Sequence, residues 1–266
     1  MFTNNPFSIL AETAPPIVLQ SFVIVMVALV IIGTLVDIIH KKNVKYFFEN
    51  AKKAKLSATK TLSAGEKISV ISKTIVSDIA TTSELGAGKR RVAHLLGMYG
   101  TILFWTGSVI MIFCYSSPSS DTPSYWPIIW HVGAIMTVVG GSWFWFFLRV
   151  DVYSEAHPWY RIIKADLFVL ALIASSLFGL IWSCLQSLNL NDRWDDKAFL
   201  VLYIISNLAL FGGVYWSKFA HMFYKPGASI QKNLAEADGS RDNLPPPADA
   251  PEQYGLGIDR EKAKHY

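Results

Sequence analysis

Ile17-Val-Leu-Gln-Ser-Phe-Val-Ile-Val-Met-Val-Ala-Leu-Val-Ile-Ile-Gly-Thr-Leu-Val36 is twenty residues without a charge, ended by Asp37 and then by His40, Lys41 and Lys42. As a helix, such a run reaches about 30 Å, the thickness of a bilayer's hydrocarbon core. In that core only helices and closed barrels satisfy every backbone N–H and C=O. Four more uncharged runs follow: Val92 to Tyr115, Pro127 to Leu148, Leu167 to Leu188 and Ala198 to Ser217. The sequence therefore predicts an all-α integral membrane protein, a five-transmembrane-helix bundle with its termini on opposite faces. No basic stretch precedes the first run, which is too long for a cleavable signal and has no small-residue cleavage site before Asp37, so it reads as a retained helix.

Basic residues set the orientation, because short loops rich in Lys and Arg stay in the cytoplasm. With the N-terminus outside, residues 37–91, 149–166 and 218–266 are cytoplasmic and hold 22 of the 24 Lys and Arg. The outer segments, 1–16, 116–126 and 189–197, hold only Arg193 and Lys197. The predicted layout is a periplasmic 1–16, spans over 17–36, 92–115, 127–148, 167–188 and 198–217, a cytoplasmic loop over 37–91 and a cytoplasmic tail over 218–266. The net charge of +4 is an orientation signal and requires no nucleic-acid partner. Trp126, Trp130, Trp143, Trp145, Trp182, Trp194 and Trp216 fall mostly near span ends, where tryptophans serve as interfacial anchors or packing residues.

Two polar pieces face the cytoplasm. In the first, Ser63-Ala-Gly-Glu66 is a capping-box pattern that opens a segment with Ile68, Ile71, Ile75 and Ile79 on one side, an amphipathic helix for the bilayer surface, the bundle or a soluble partner. The second, Pro226 to Tyr266, contains Leu244-Pro-Pro-Pro247 and Pro251 and reads as an extended tail. Its end, Tyr254-Gly-Leu-Gly-Ile258, returns to apolar residues suited to gripping a partner.

The two cysteines, Cys114 and Cys184, are too few for an iron–sulfur cluster or a structural zinc site, and no Walker loop, dinucleotide fingerprint or nucleophile elbow is present. Histidine remains. Ionisable side chains inside a membrane are costly and usually functional, and imidazole is a common axial ligand of haem iron. His94 is the third residue of the second run, and His221 lies just beyond the fifth. Both fall at the inner membrane boundary, with Gly97, Thr101, Gly213 and Ser217 nearby and Arg90, Arg91 and Lys218 at the surface. The pair could hold a haem between them, or each could anchor a helix end. His131 lies about one turn into the third run from the outer side; His40, His157 and His265 lie at boundaries or in the tail.

Arg90-Arg-Val-Ala-His94 opening the second helix, and Trp216-Ser-Lys-Phe-Ala-His-Met-Phe-Tyr-Lys-Pro226 after the fifth, resemble the gamma-subunit family of respiratory nitrate reductase, which includes the C subunit of the quinone-interacting membrane oxidoreductase. Within that group the lack of a fused iron–sulfur domain and the Tyr254-to-Tyr266 ending are most similar to the membrane-anchor family of dissimilatory adenylylsulfate (APS) reductase. The resemblance implies up to two b haems, each held by one histidine from helix 2 and one from helix 5. The inner pair matches His94 and His221, with Arg90, Arg91 and Lys218 meeting the propionates. The outer positions are Phe104 and Tyr203, so one haem b at most is expected.

The resemblance further implies a subunit in a bacterial or archaeal cytoplasmic membrane that binds a cytoplasmic flavin and iron–sulfur adenylylsulfate reductase and passes electrons to quinone in dissimilatory sulfur metabolism. The chemistry would reside in the partner subunits, and Arg149, His157 and Asp166 are the candidate quinone contacts. Two other readings stay open: a cofactor-free membrane scaffold for a soluble redox enzyme, and a small transporter. Against the transporter, the third and fourth runs contain no charge pair, and Gly140-Gly141 is explained by close helix packing.

Overall fold

The computed structural model describes residues 2–85, 88–149, 159–188, 190 and 193–240, apart from the side chains of Asn43 and His221. No strand occurs among the described residues. In chain order the α-helices are α1 (Pro6–Leu10), α2 (Pro16–Lys41), α3 (Asn43–Lys55), α4 (Ala64–Thr74), α5 (Lys89–Cys114), α6 (Tyr125–Trp143), α7 (Leu167–Ser187), α8 (Trp194–Gly212) and α9 (His221–Ala237). Single π turns cover Ile75–Ala80 and Phe144–Leu148, and 3-10 turns cover Ser83–Leu85 and Lys164–Asp166. The chain forms two compact units, Met1–His40 with Arg90–His221, and Lys41–Lys89 with Met222–Tyr266.

In the first unit four helical stretches are long and apolar enough to cross a membrane: Pro16–Lys41, Lys89–Cys114, Tyr125–Leu148 and Lys164–Ser187. They coincide with the first four runs, each starting one to three residues earlier, the first running on to Lys41 and the second and fourth ending one residue sooner. The fifth run differs. Helix α8 starts early, on Trp194-Asp-Asp-Lys197, and ends at Gly212 rather than Ser217. Its charge-free part, Ala198 to Gly212, spans only about 22 Å as a helix. The helix ends against Gly213, a position only glycine fits: a side chain there would strike Leu167 Cδ2 at 2.6 Å and Ala209 O at 2.5 Å. The following turn segment is itself interior, with Val214, Phe219 and Ala220 buried.

Small residues hold α5 against α6. A Cβ at Gly100 would lie 2.6 Å from Thr137 N, one at Gly133 2.5 Å from Phe104 N, and one at Gly140 2.5 Å from Gly97 N and 2.7 Å from Ala93 O. Rising numbers on α5 meet falling numbers on α6, so the helices are antiparallel. Close approach replaces the hydrophobic drive that lipid does not supply. Gly141 faces the opposite way, with Ile173 Cγ1 2.7 Å from its Cβ position, so this glycine pair seats α6 on two neighbours as the sequence suggested.

The core has two aromatic centres. One gathers Phe7, Phe104, Trp130, Trp182 and Tyr203; the other surrounds Leu210, Val214 and Phe219. Trp130, Trp182 and Trp145 are buried and act in packing, whereas Trp194 and Trp216 are exposed as an interfacial belt requires. Cys114 and Cys184 are free thiols.

In the second unit the capping box forms: Ser63 N donates to Glu66 Oε2 at 2.8 Å, and Glu66 N donates to Ser63 Oγ at 3.3 Å. The isoleucine face is less buried than its spacing suggested. Ile68 and Ile75 are exposed, while Thr74 is enclosed. The expected extended tail from Pro226 is corrected as well: α9 runs through Pro226 to Ala237. The reason is a set of polar partners invisible to local sequence. Asn233 Nδ2 donates to Thr74 Oγ1 at 2.9 Å and to Asp78 Oδ2 at 2.7 Å, and Lys225 Nζ lies 2.7 Å from Glu84 Oε2. The tail from Leu244 to Tyr266, with Tyr254 to Ile258, lies outside the described residues.

Candidate functional site

The sequence places Arg149 just after the third run and Asp166 just before the fourth; the structure joins them into a buried ion pair. Arg149 follows the π turn Phe144–Leu148 with an extended backbone, and Asp166 closes the 3-10 turn before α7. Arg149 NH2 donates to Asp166 Oδ2 at 2.6 Å, with both side chains at least nine-tenths buried. The remaining capacity is filled locally: Arg149 NH1 donates to Arg161 O at 2.8 Å, and Ile163 N donates to Asp166 Oδ2 at 3.0 Å. The guanidinium carbon lies 4.2 Å from the centroid of the Trp145 ring. Removing one partner from such a pair costs about 3–5 kcal/mol, because the other charge stays buried alone.

Beside this pair is a cleft of about 230 Å³ lined by Ser142, Trp145, Phe146, Trp159, Tyr160, Ile162, Leu170 and Ile173. The wall is largely aromatic, with Phe146 and Trp159 edge to face at 5.4 Å and Trp159 and Tyr160 at 5.8 Å. A π turn inserts one extra residue into a helix and recurs at functional sites. Here the turn Phe144–Leu148 contributes two lining residues, Trp145 and Phe146, and Arg149 follows it directly. The wall offers a flat apolar ring a surface to lie against. His157, the third candidate, lies outside the described residues.

The first of the candidate haem ligands stands on α5. His94 is exposed on α5, and three residues further the Cβ position of Gly97 has nothing within 4 Å. Thr101 turns its hydroxyl back to Gly97 O at 2.7 Å, and Trp105 has its indole N–H enclosed without an acceptor. Trp105 also meets the segment leading to His221, stacking on Phe219 at 6.1 Å and touching Phe211 at 5.3 Å. Arg90 and Arg91 are half-buried and Lys218 is exposed. The His221 backbone opens α9; its side chain lies outside the described residues. Phe104 and Tyr203, at the outer positions, come together with ring centroids 6.5 Å apart inside the first aromatic core.

His131 is an interior residue, fully buried, with Nδ1 2.7 Å from Pro127 O and Nε2 2.8 Å from Ser183 Oγ. The rings of Trp130 and Phe2 stand edge-on to it at 4.8 and 5.2 Å. Sequence reasoning missed Ser183, which carries no signal of its own. Asp37 was missed too; it ends an apolar run in the sequence but is 2% exposed within α2.

The second unit has its own polar centre. Asp78 accepts from Ser83 at 2.7 Å, Ser77 at 2.8 Å, Asn233 at 2.7 Å and Ser229 at 3.2 Å. Partial desolvation pushes its carboxyl up, but the four hydrogen bonds outweigh that and hold it down at about 2. Glu84 is lowered chiefly by Lys225, against some desolvation, with help from Ser229 and Lys232. Comparison with protein-family models, curated proteins and solved structures finds no match for this chain.

Proposed function

We propose that this chain is the five-span membrane anchor and electron-transfer subunit that links a cytoplasmic adenylylsulfate reductase to the quinone pool, with its N-terminus outside. The observation that carries the quinone part is the aromatic cleft beside the Arg149–Asp166 pair, two charges 17 residues apart joined at 2.6 Å. The juxtaposition of Phe104 on α5 with Tyr203 on α8 supports the pairing of the second and fifth runs that the family resemblance implies. The 22-to-2 division of basic residues supports the orientation, in which the second unit, with its α4 and α9 helices, would face a soluble partner.

In this reading sulfite joins AMP on the partner, and the two electrons released reduce quinone to quinol with two protons. A haem b held by His94 and His221 would supply one-electron transfer between partner and quinone, with Arg90, Arg91 and Lys218 near its propionates. The chain's own residues would seat the acceptor: Phe146, Trp159 and Tyr160 line the cleft, and the Arg149–Asp166 pair, stacked on Trp145, holds its floor. With the purified complex, sulfite- and AMP-dependent reduction of a menaquinone analogue should require this chain, and Tyr160→Ala should raise the quinone KM. A dithionite-reduced low-spin α-band should vanish in His94→Ala and in His221→Ala and survive in His131→Ala. Quinone reduction by the soluble enzyme alone at an equal rate would refute the electron-transfer role; quinone reduction without any haem band leaves an anchor that works without the cofactor.

A further inference from the structure

We infer that α3 is a lipid-reading element whose outer face binds the anionic headgroups of the cytoplasmic leaflet. The helix starts two residues after α2 ends, with Lys42 in the left-handed region (φ 53°) breaking the chain between them, so its first turn is covalently held at the membrane boundary. Residues 41–55 hold six lysines and one glutamate. Their arrangement divides the helix in two. Val44, Phe47, Ala51 and Ala54 recur at i, i+3, i+7 and i+10 and are all half-buried, which is the face turned into the unit. Lys45, Phe48, Lys52 and Lys55 recur one position later and, with Leu56 just past the helix end, are all exposed, Phe48 at 65% and Leu56 at 85%.

Two large apolar side chains set among lysines are costly in water. At an interface, lysine stems lie along apolar surface while the ammonium groups reach phosphates, and Phe48 and Leu56 enter the acyl boundary. The single acid on this side, Glu49, is already engaged by Lys45 at 3.7 Å, so the face presents net positive charge. A bilayer of mixed charge matches both properties together, whereas an acidic protein surface would leave Phe48 and Leu56 without an apolar partner. Each lysine near an anionic surface contributes about a fivefold factor in binding, so with Lys45 offset by Glu49, Lys52 and Lys55 give about a 25-fold preference over a neutral surface.

The test uses the full chain in nanodiscs of phosphatidylcholine alone and of phosphatidylcholine mixed with phosphatidylglycerol, read by amide hydrogen exchange. The expected result is slower exchange of residues 44–56 in the anionic discs, by about tenfold or more, with raised salt reversing it and α5 and α7 unchanged. The triple variant Lys45→Glu, Lys52→Glu, Lys55→Glu should exchange at the neutral-disc rate in both lipids. Equal exchange of the unmodified chain in the two discs would overturn the proposal, as would slowing that resists salt or slowing that appears only when a soluble acidic protein is added. The salt titration needs no mutation, so a misfolded variant cannot mask the answer.

Discussion

Asp78 shows how one carboxylate can hold two distant segments together. Its four side-chain donors come from the π turn, the turn after it and α9, and their combined effect keeps its pKa at about 2 against an ordinary 3.8. A depressed carboxylate stabilises the fold above its unfolded pKa, and that stability is lost as pH falls through the folded value. Between about pH 4 and pH 2 the second unit should therefore loosen, by on the order of 1 kcal/mol from Asp78 after discounting for solvent screening. Exchange of α9 amides in the full chain should show this acid step, and Asp78→Asn should be weaker at neutral pH and lack Asp78's part of the step. At this scale the sequence revealed what is local. Ser63 and Glu66 announce each other across three residues, and Pro226 announces a break that α9 overrides through Asn233 and Ser229. Asp78 and Asn233 are 155 residues apart, and no local pattern connects them.

The helices of the first unit were legible as elements because lipid imposes a simple demand, about 20 apolar residues for each span. Their ends were less so. The π turn at Phe144–Leu148 and the end of α8 at Gly212, short of Ser217, carry no signal in the apolar pattern. The antiparallel α5–α6 pair was partly legible, since glycines at 100 and 107 and at 133 and 140 repeat every seven residues and mark a small-residue seam. Replacing Gly140 by leucine puts carbon within 2.5 Å of the Gly97 amide and 2.7 Å of the Ala93 carbonyl, and backbone cannot yield as a flexible side chain can. Gly140→Leu should destabilise the detergent-solubilised protein by about 1–3 kcal/mol or more, seen as a lower Tm, whereas Gly65→Ala, with open space around it, should change little.

At the scale of the whole molecule, topology is the first quantity to test. The distribution of Lys and Arg puts the 37–91 loop inside, so a cysteine placed at Ser57 in a Cys114→Ser, Cys184→Ser background should resist a membrane-impermeant thiol reagent in intact cells and react after lysis. Labelling in intact cells would reverse the orientation and remove the cytoplasmic partner from the proposal. Composition and charge order determined the class of this protein by themselves: apolar length, basic loops and a capping box act through the solvent or through nearest neighbours, and both are written along the chain. Tertiary structure decided the rest. It buried Arg149 against Asp166 under Trp145, turned His131 onto Ser183, brought Phe104 to Tyr203 and folded the start of the tail into α9. Each of these joins side chains on different elements, and in a low-dielectric interior a buried charge or polar group is tolerated only where the fold delivers its partner. A sequence can advertise a charge, but the partner's place is fixed by how the helices pack.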